Sequence, residues 1–396
     1  DNKFTITNNI TLHTQWGSKV SDDVLKFGAI DTENNIEGLL IYNETGLNYF
    51  RNIVNGTLTE NIIVSNNVAY RSGTPYPTVN AKLCDDIELT EDNWVPIGNG
   101  KYEGTTNNIY YEGSFDGNGK GVTKLNINSD DETDLGFFGC VQDATIKNLY
   151  VEGNIEARND SEGAVGGIVG YEKSMDGKSV TISNCINNVQ IDSQSKYVGG
   201  ILGDFYSGSG EINIDSCVNI ANLTAQYPSG ILNTSGNSTI KNCSNLGNLT
   251  SNSTSPNYSA GICMTYNVNC TVSNCINTGS IIPDEQCYPI LCYSNNTDGS
   301  NPTCSNCFYD SEKIQNVAEN SFGSGKITSW FYTEDTNSEE NLSDWSFAFG
   351  RYPLPSTLQS IFDDGNSYDD VWAKLCKAAE TGITTWSALA SAIKNS

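Results

Sequence analysis

Through the middle of the chain, apolar residues alternate with polar ones in short runs broken by Gly, Asn, Asp and Ser. Alternation of this period marks half-buried strands. Within one stretch three such strands follow one another, Tyr197–Asp204, Glu211–Ser216 and Ile220–Ala225. The Gly, Asn and Ser residues between them supply the positive-φ corners that join strands. The pattern then returns. Gly166-Gly167-Ile168-Val169-Gly170 precedes Ile182-Ser183-Asn184-Cys185, and Gly199-Gly200-Ile201-Leu202-Gly203 precedes Ile214-Asp215-Ser216-Cys217. Ser229-Gly230-Ile231-Leu232 precedes Ile240-Lys241-Asn242-Cys243, and Ala260-Gly261-Ile262-Cys263 precedes Val272-Ser273-Asn274-Cys275. A period of about thirty residues marks a stacked, quasi-one-dimensional architecture.

The cysteines supply the step of that stack. Cys185, Cys217, Cys243, Cys275 and Cys307 occupy one repeat position, at spacings of 32, 26, 32 and 32. Identical positions in successive rungs form a column, here of small buried hydrophobes. Stacked thiols run parallel, which disfavours bridging, so the column reads as a reduced ladder. Cys287/Cys292 and Cys304/Cys307 are better disulfide candidates. Upstream, Leu135-Gly136-Phe137-Phe138-Gly139 with Ile146-Lys147-Asn148-Leu149, and before them Val122-Thr123-Lys124-Leu125, extend the pattern. They place Leu125 and Leu149 in the sulfur column. Three strands per rung predict a mainly β fold, a right-handed parallel β-helix of about seven rungs and on the order of 35 Å long.

The ends depart from the repeat and predict three regions: an N-terminal cap over 1–80, the β-helix over 81–325, and a C-terminal cap over 326–396. Phe4–Leu12 is strand-like, and Leu47, Phe50, Ile53 and Val54 have helical spacing. Lys82–Leu89 and Trp94–Gly98 read as the strands that begin the solenoid. Trp345-Ser346-Phe347 and Arg351–Pro355 break the pattern. Ser367 with Asp370 resembles a capping box that opens a helix, and a second short helix is expected from Trp386 to about Lys394. Such segments hide the open edges that a stack of strands leaves.

Composition narrows the function. The 396 residues carry 47 acidic and 21 basic side chains, a net charge of −26. That surface repels phosphate, so nucleic acid is an unfavourable partner. No run approaches the roughly 20 apolar residues of a membrane span. Aromatics reach 10% and charged residues only 17%, which argues against disorder. The chain starts abruptly at Asp1 and reads as a mature or excised segment.

Candidate chemistry is sparse. The acid pairs Asp85-Asp86, Asp130-Asp131, Asp363-Asp364 and Asp369-Asp370 are adjacent in sequence, and strand neighbours point to opposite faces. Adjacent acids therefore make poor catalytic dyads; Asp204 and Asp215 are the pair whose strands folding could bring close. Cys304-x-x-Cys307 lacks a second CxxC at zinc spacing, and the one histidine is the distant His13, so no metal site is read. Asp116-Gly117-Asn118-Gly119 lacks the remaining ligands of a calcium loop and reads as a tight turn. Trp94 and Tyr102 read as core rather than as platforms for sugar rings. No catalytic residue and no cofactor is assigned. Glycosylation sequons stand at Asn9, Asn43, Asn55, Asn159, Asn222, Asn233, Asn237, Asn242, Asn248, Asn252, Asn257, Asn269, Asn295 and Asn341. All but Asn242, whose neighbour Cys243 is in the ladder, are retained as candidate sites of N-glycosylation.

The ordered set Trp94-Val95-Pro96-Ile97-Gly98, Phe115–Gly119, Phe137-Phe138-Gly139, Ile146–Gly153, the Gly-Gly-Ile-Val-Gly copies and Trp345…Tyr352-Pro353-Leu354 resembles bacterial surface proteins with GLUG-type repeats. The resemblance covers roughly residues 46–356. It implies a β-solenoid adhesin displayed outside the cell, with no catalytic residues to carry over. Later copies depart from it, with Ser229 and Ala260 in place of a glycine and Tyr288-Pro289-Ile290 in place of the pair. The sequence reading is therefore a non-enzymatic, extracellular structural protein. The alternative is a β-helix polysaccharide lyase or hydrolase, since that fold also carries such enzymes. The C-terminal stretch Trp386–Ile393 and the strand Phe4–Leu12 read as pieces that join between copies. Head-to-tail self-association into a filament or array is thus expected, with another cell-surface or glycan partner as the other possibility.

Overall fold

The computed structural model describes residues 17–65, 68–100, 108–130, 134–158, 163–173, 177–205, 210–234, 236–253, 258–266, 269–282, 287–294, 302–319, 321–332, 342–348 and 351–362. The chain is a parallel β-solenoid of about six turns. On its longest face, one inward position can be followed through Leu39, Ala81, Phe115, Ile146, Ile182, Ile214, Ile240, Val272 and Cys304, each in parallel register with the next. A second face is the six-stranded sheet of Phe138–Val141, Val169–Glu172, Leu202–Phe205, Leu232–Thr234, Cys263–Tyr266 and Leu291–Ser294. A third, short one stacks Val165–Gly166, Tyr197–Gly199 and Tyr227–Ser229. The stretch expected as one strand, Tyr197–Asp204, is two, Tyr197–Gly199 and Leu202–Phe205. Gly200 and Ile201 turn the chain between them.

The Asn-Cys element has a local cause. Asn148, Asn184, Ser216, Asn242, Asn274 and Asn306 all have φ between 51° and 56°. Asparagine tolerates this left-handed region better than other non-glycine residues. The corner turns the next side chain inward. Leu149, Cys185, Cys217, Cys243, Cys275 and Cys307 are accordingly buried. Leu125 is buried too but lies in another column: it stands in register with Gly153, whereas Leu149 pairs with Lys120. Irregular pairing between Ser114–Ser129 and Thr145–Ala157, with Lys124 at φ 60°, shifts the register of this first rung. The sequence cannot see such a bulge.

The solenoid face begins earlier than residue 81. Strand Ile36–Ile41 already pairs in parallel with Ala81–Leu83, and it also closes an antiparallel hairpin with Leu25–Asp31. The expected helix spans Glu44–Asn55. Asn43 caps it by accepting from the Gly46 N–H, and Gly56 ends it at φ 70°. Leu47, Phe50, Ile53 and Val54 are its buried stripe, and the Phe50 ring meets Tyr111 at 5.8 Å and Phe115 at 5.6 Å. Lys82–Leu89 forms two short strands, Ala81–Leu83 and Ile87–Glu88. Trp94–Gly98 contributes one bridge, Ile97 to Phe138, rather than a strand.

The C-terminal segment lies along the side of the rod. Trp345–Ala348 and Arg351–Pro355 form a hairpin that leads into helix Ser356–Phe362. Trp345, Tyr352, Leu354, Leu358 and Phe362 pack on Ile186, Val218, Ile220, Leu246, Ile276 and Phe308. Those solenoid residues point outward, because several follow a ladder position directly and strand neighbours alternate faces. The strap runs from Asp310, which accepts a hydrogen bond from the Tyr352 hydroxyl at 2.6 Å, back to Gly119, where the Ile361 carbonyl closes on the backbone. Phe4–Leu12 and the helices expected within 367–394 lie outside the described residues.

Candidate functional site

The interior of the rungs is built from two interlocking ladders. The first is the thiol column. Cys185, Cys217, Cys243, Cys275 and Cys307 are free and buried. Each S–H points at the carbonyl two residues back, at 3.1–3.4 Å. Burial pushes the Cys217 and Cys275 thiols well above their ordinary range, which favours the neutral form. These are packing groups.

The second ladder was not read from the sequence. Two residues after each of the first four thiols stands an inward asparagine: Asn187, Asn219, Asn245 and Asn277. Asn187 donates to Asn219 at 2.7 Å, Asn219 to Asn245 at 2.8 Å, and Asn245 to Asn277 at 2.8 Å. The remaining oxygen capacity serves N–H groups of the same rung, from Val189, Ala221 and Gly279. The glycine opposite each amide is required by it and, at Gly200, Gly230 and Gly261, by the carbonyl of the next rung as well. A Cβ on Gly200 would lie 2.6 Å from Asn219 Cγ, and one on Gly230 would lie 2.5 Å from Asn245 Cγ. Gly167 and Gly261 face Asn187 and Asn277 in the same way. The second glycine of the repeat is thus the room for the asparagine. A signal was available: Asn recurs two residues after Cys wherever Gly recurs in the second place.

Outward polar groups of the rungs are also engaged. Asn306 donates to Asn274 at 3.0 Å, and Asn242 donates to Asp215, also at 3.0 Å. Asp215 also pairs with Lys241 at 3.1 Å. Asp215 and Asp204 belong to strands of different sheets. Asp86 accepts from the Gly121 N–H at 2.7 Å, and Asp85 from the Asp86 N–H at 2.9 Å. Asp116 holds the Asn118–Gly119 turn by accepting from the Asn118 N–H at 2.8 Å, with φ 54° and 71° at the two residues. Asp131, Asp363, Asp364, Asp369, Asp370, His13 and Tyr102 lie outside the described residues.

A cleft of about 470 Å³ opens beside the first rungs, lined by Asn93, Trp94, Asn99, Asn128, Asp130 and Asp134 among others. Burial lifts the Asp134 carboxyl to about 7. That is the range of a general acid at neutral pH, but both oxygens are held, one by the Ala164 N–H at 3.1 Å and one by the Cys140 thiol at 3.2 Å. Trp94 is buried: its ring stacks on Phe137 at 5.4 Å, and the Arg51 guanidinium covers it at 4.7 Å. It offers no free face to a sugar. Among the described residues no cluster of His, Cys, Asp or Glu is arranged to hold a metal ion.

The sequons divide by burial. Asn55 is buried, donating to the Pro96 carbonyl and accepting from the Gly98 N–H, both at 2.9 Å. Asn233 is fully buried and donates to the Tyr227 carbonyl at 2.9 Å. The folded chain presents neither amide, which corrects both expectations. Asn43 is the helix cap, and Asn222 and Asn248 bridge rungs through their side-chain oxygens. Asn237 is half-buried, and Asn252 and Asn269 are exposed. Asn9, Asn159, Asn257, Asn295 and Asn341 lie outside the described residues.

No family model and no curated protein matches the sequence. A solved structure named "putative immunoglobulin A1 protease from Bacteroides ovatus" is similar over 81% of this chain and 92% of that one, at 17% identity and a TM-score of 0.47. A likeness at this level bears on no residue of the chain.

Proposed function

We propose that the chain is a non-enzymatic scaffold of the cell exterior, an adhesin-like β-solenoid of the GLUG-repeat kind whose partners meet its surface and ends. The observation that carries this reading is the engagement of the rung side chains. Inward asparagines hold one another, the inward thiols are held by backbone carbonyls, and Asp85, Asp86, Asp116 and Asp215 hold turns and neighbouring rungs. A rigid rod whose named rung side chains are committed to holding the stack suits display better than turnover. Its acidic surface suits a neutral glycan or a basic protein surface, and copies of the chain would meet at their ends rather than along their flanks. Head-to-tail association of copies is part of this reading, as are extracellular placement and sugar on exposed sequons such as Asn252 and Asn269. The test has two arms on the purified full chain. Electron microscopy with sedimentation is expected to find end-joined rods. Incubation with a panel of acidic and neutral polysaccharides is expected to release no new reducing ends and no unsaturated products. Turnover that Asp134→Asn abolishes would replace the proposal with the hydrolase or lyase reading, which the neutral-range carboxyl in the cleft favours.

A further inference from the structure

The strands Cys263–Tyr266 and Cys270–Ser273 meet at one corner of a single rung. Their first residues face each other inside the core, with the two sulfurs 3.6 Å apart. Both residues are buried and free. In the neighbouring rungs the register partners of Cys263 are Leu232 and Leu291, and the partner of Cys270 is Ser238. Further back, the same two positions hold Leu202 and Ile212, then Val169 and Val180. Among the rungs whose two facing positions are described, this one places a sulfur at both.

We propose that Cys263 and Cys270 are the site of an intrachain disulfide that locks this corner. A bond requires the sulfurs to close to about 2.05 Å, a movement within reach of rotation about Cα–Cβ. The cysteines of the pairs expected from sequence have other partners, although Cys304 and Cys307 also meet, and the Cys263 thiol itself lies 3.6 Å from the Met264 carbonyl. Cys307 is held in the thiol ladder, accepting from the Cys275 N–H at 3.4 Å and donating to Ser305 at 3.2 Å. Cys287 directs its thiol at the Ile281 carbonyl. The oxidant is a small-molecule disulfide, RSSR. Before the rung closes either thiol can attack, and the steps are the same in both orders; they are written here with the Cys270 thiolate attacking first. It forms a mixed disulfide and releases one RS⁻. Cys263 then gives up its proton, attacks the Cys270 sulfur and releases the second RS⁻. Two protein thiols are oxidised and one RSSR is reduced to two RSH. Because both sulfurs are buried in the finished rung, the exchange takes place as the rung closes during folding. The assignment does not depend on the function proposed above.

The test is to refold the full chain in a glutathione and glutathione-disulfide buffer and map it by mass spectrometry without reduction. The expected product has lost two hydrogen atoms and yields a cross-linked peptide joining Cys263 and Cys270. Its unfolding midpoint is expected on the order of 5 °C above that of the reduced chain. A Cys263→Ala/Cys270→Val double variant is expected to lose the sensitivity of its midpoint to reductant. Recovery of both cysteines as alkylatable thiols in every oxidising buffer would overturn the proposal, as would a bridge mapped to Cys304–Cys307 or Cys287–Cys292. The wild-type map decides the matter even where the variant does not fold.

Discussion

Four neighbouring rungs carry an inward asparagine with a facing glycine: Asn187 with Gly167, Asn219 with Gly200, Asn245 with Gly230, and Asn277 with Gly261. The rungs on either side differ in the asparagine. Before the ladder, Val151 is the register partner of Asn187; after it, Tyr309 is the partner of Asn277. Beyond Gly261, Pro289 meets the glycine through its carbonyl, and no glycine follows. Where the amide ends, the glycine ends with it. The first position of the glycine pair shows the opposite behaviour, because Ser229 and Ala260 replace Gly166 and Gly199 with no other change in the ladder. A repeat that looks like one motif is thus two constraints. One excludes a Cβ in all four rungs, where the amide and, at Gly200, Gly230 and Gly261, the next rung's carbonyl occupy its space. The other admits a side chain at Ser229 and Ala260, although a Cβ on Gly166 or Gly199 would meet a carbonyl of its own rung at 2.0 Å.

That contrast is open to attack. The largest effect is expected from Gly200→Ala. Its Cβ would press on Asn219 and on the Gly230 carbonyl, and neither can withdraw without breaking the stack. A loss of about 3 kcal/mol is expected in denaturant unfolding. Ala260→Gly, at the loose position, is expected to cost about 1 kcal/mol or less. Equal costs would erase the distinction between strict and loose positions.

A second probe uses a rung where an acid replaces an apolar partner. Glu172 is buried in register with Val141, and burial pushes its carboxyl up to about 9. Between its ordinary value of 4.5 and about 9, the folded chain keeps a proton that the unfolded chain releases. This contribution to stability is therefore present at low pH and is lost as pH rises through that window. Glu172→Gln is expected to match the wild type near pH 4 and to exceed it by a margin that widens as pH rises toward 8. A constant difference across that range would show that Glu172 is not buried as a neutral acid.

A smaller effect separates the strap-covered column from the ladders. Tyr352→Phe removes the hydrogen bond to Asp310 and leaves the aromatic packing on Phe331. A loss of about 1.5 kcal/mol is expected. Earlier proteolysis around Trp345–Pro355 should accompany it, while the amides of the asparagine ladder stay protected from hydrogen exchange. Unchanged strap proteolysis would mean that apolar packing alone holds it.

The rung period, the corner asparagines and the helix at Glu44–Asn55 were legible because each depends on residues close in sequence. The asparagine ladder was also written in the chain, two residues after Cys185, Cys217, Cys243 and Cys275, but its meaning needed the glycine that faces it from another corner of the rung. Leu125 misled because a bulge changes the register without changing the residue pattern. The strap was hidden for a different reason. Ile186, Val218, Ile276 and Phe308 are apolar on the outer side of their strands, so alternation alone cannot show what covers them. Burial of Asn55 and Asn233 was invisible for the same reason, since a sequon carries no information about the backbone that folds over it. The facing sulfurs of Cys263 and Cys270 required the corner between two sheets.

The central claim is that the strict glycine and the asparagine are one contact. A double-mutant cycle on Gly167 and Asn187 tests it most directly, because the three atoms nearest a Cβ at Gly167 all belong to the Asn187 side chain. Asn187→Val copies the residue that Val151 supplies one rung earlier. Gly167→Ala alone is expected to cost about 2–3 kcal/mol, and Asn187→Val alone a similar amount through the partners it leaves unpaired. The double variant is expected to be little worse than Asn187→Val, a coupling of about 2 kcal/mol. Additivity of the two losses to within about 0.5 kcal/mol would contradict the account.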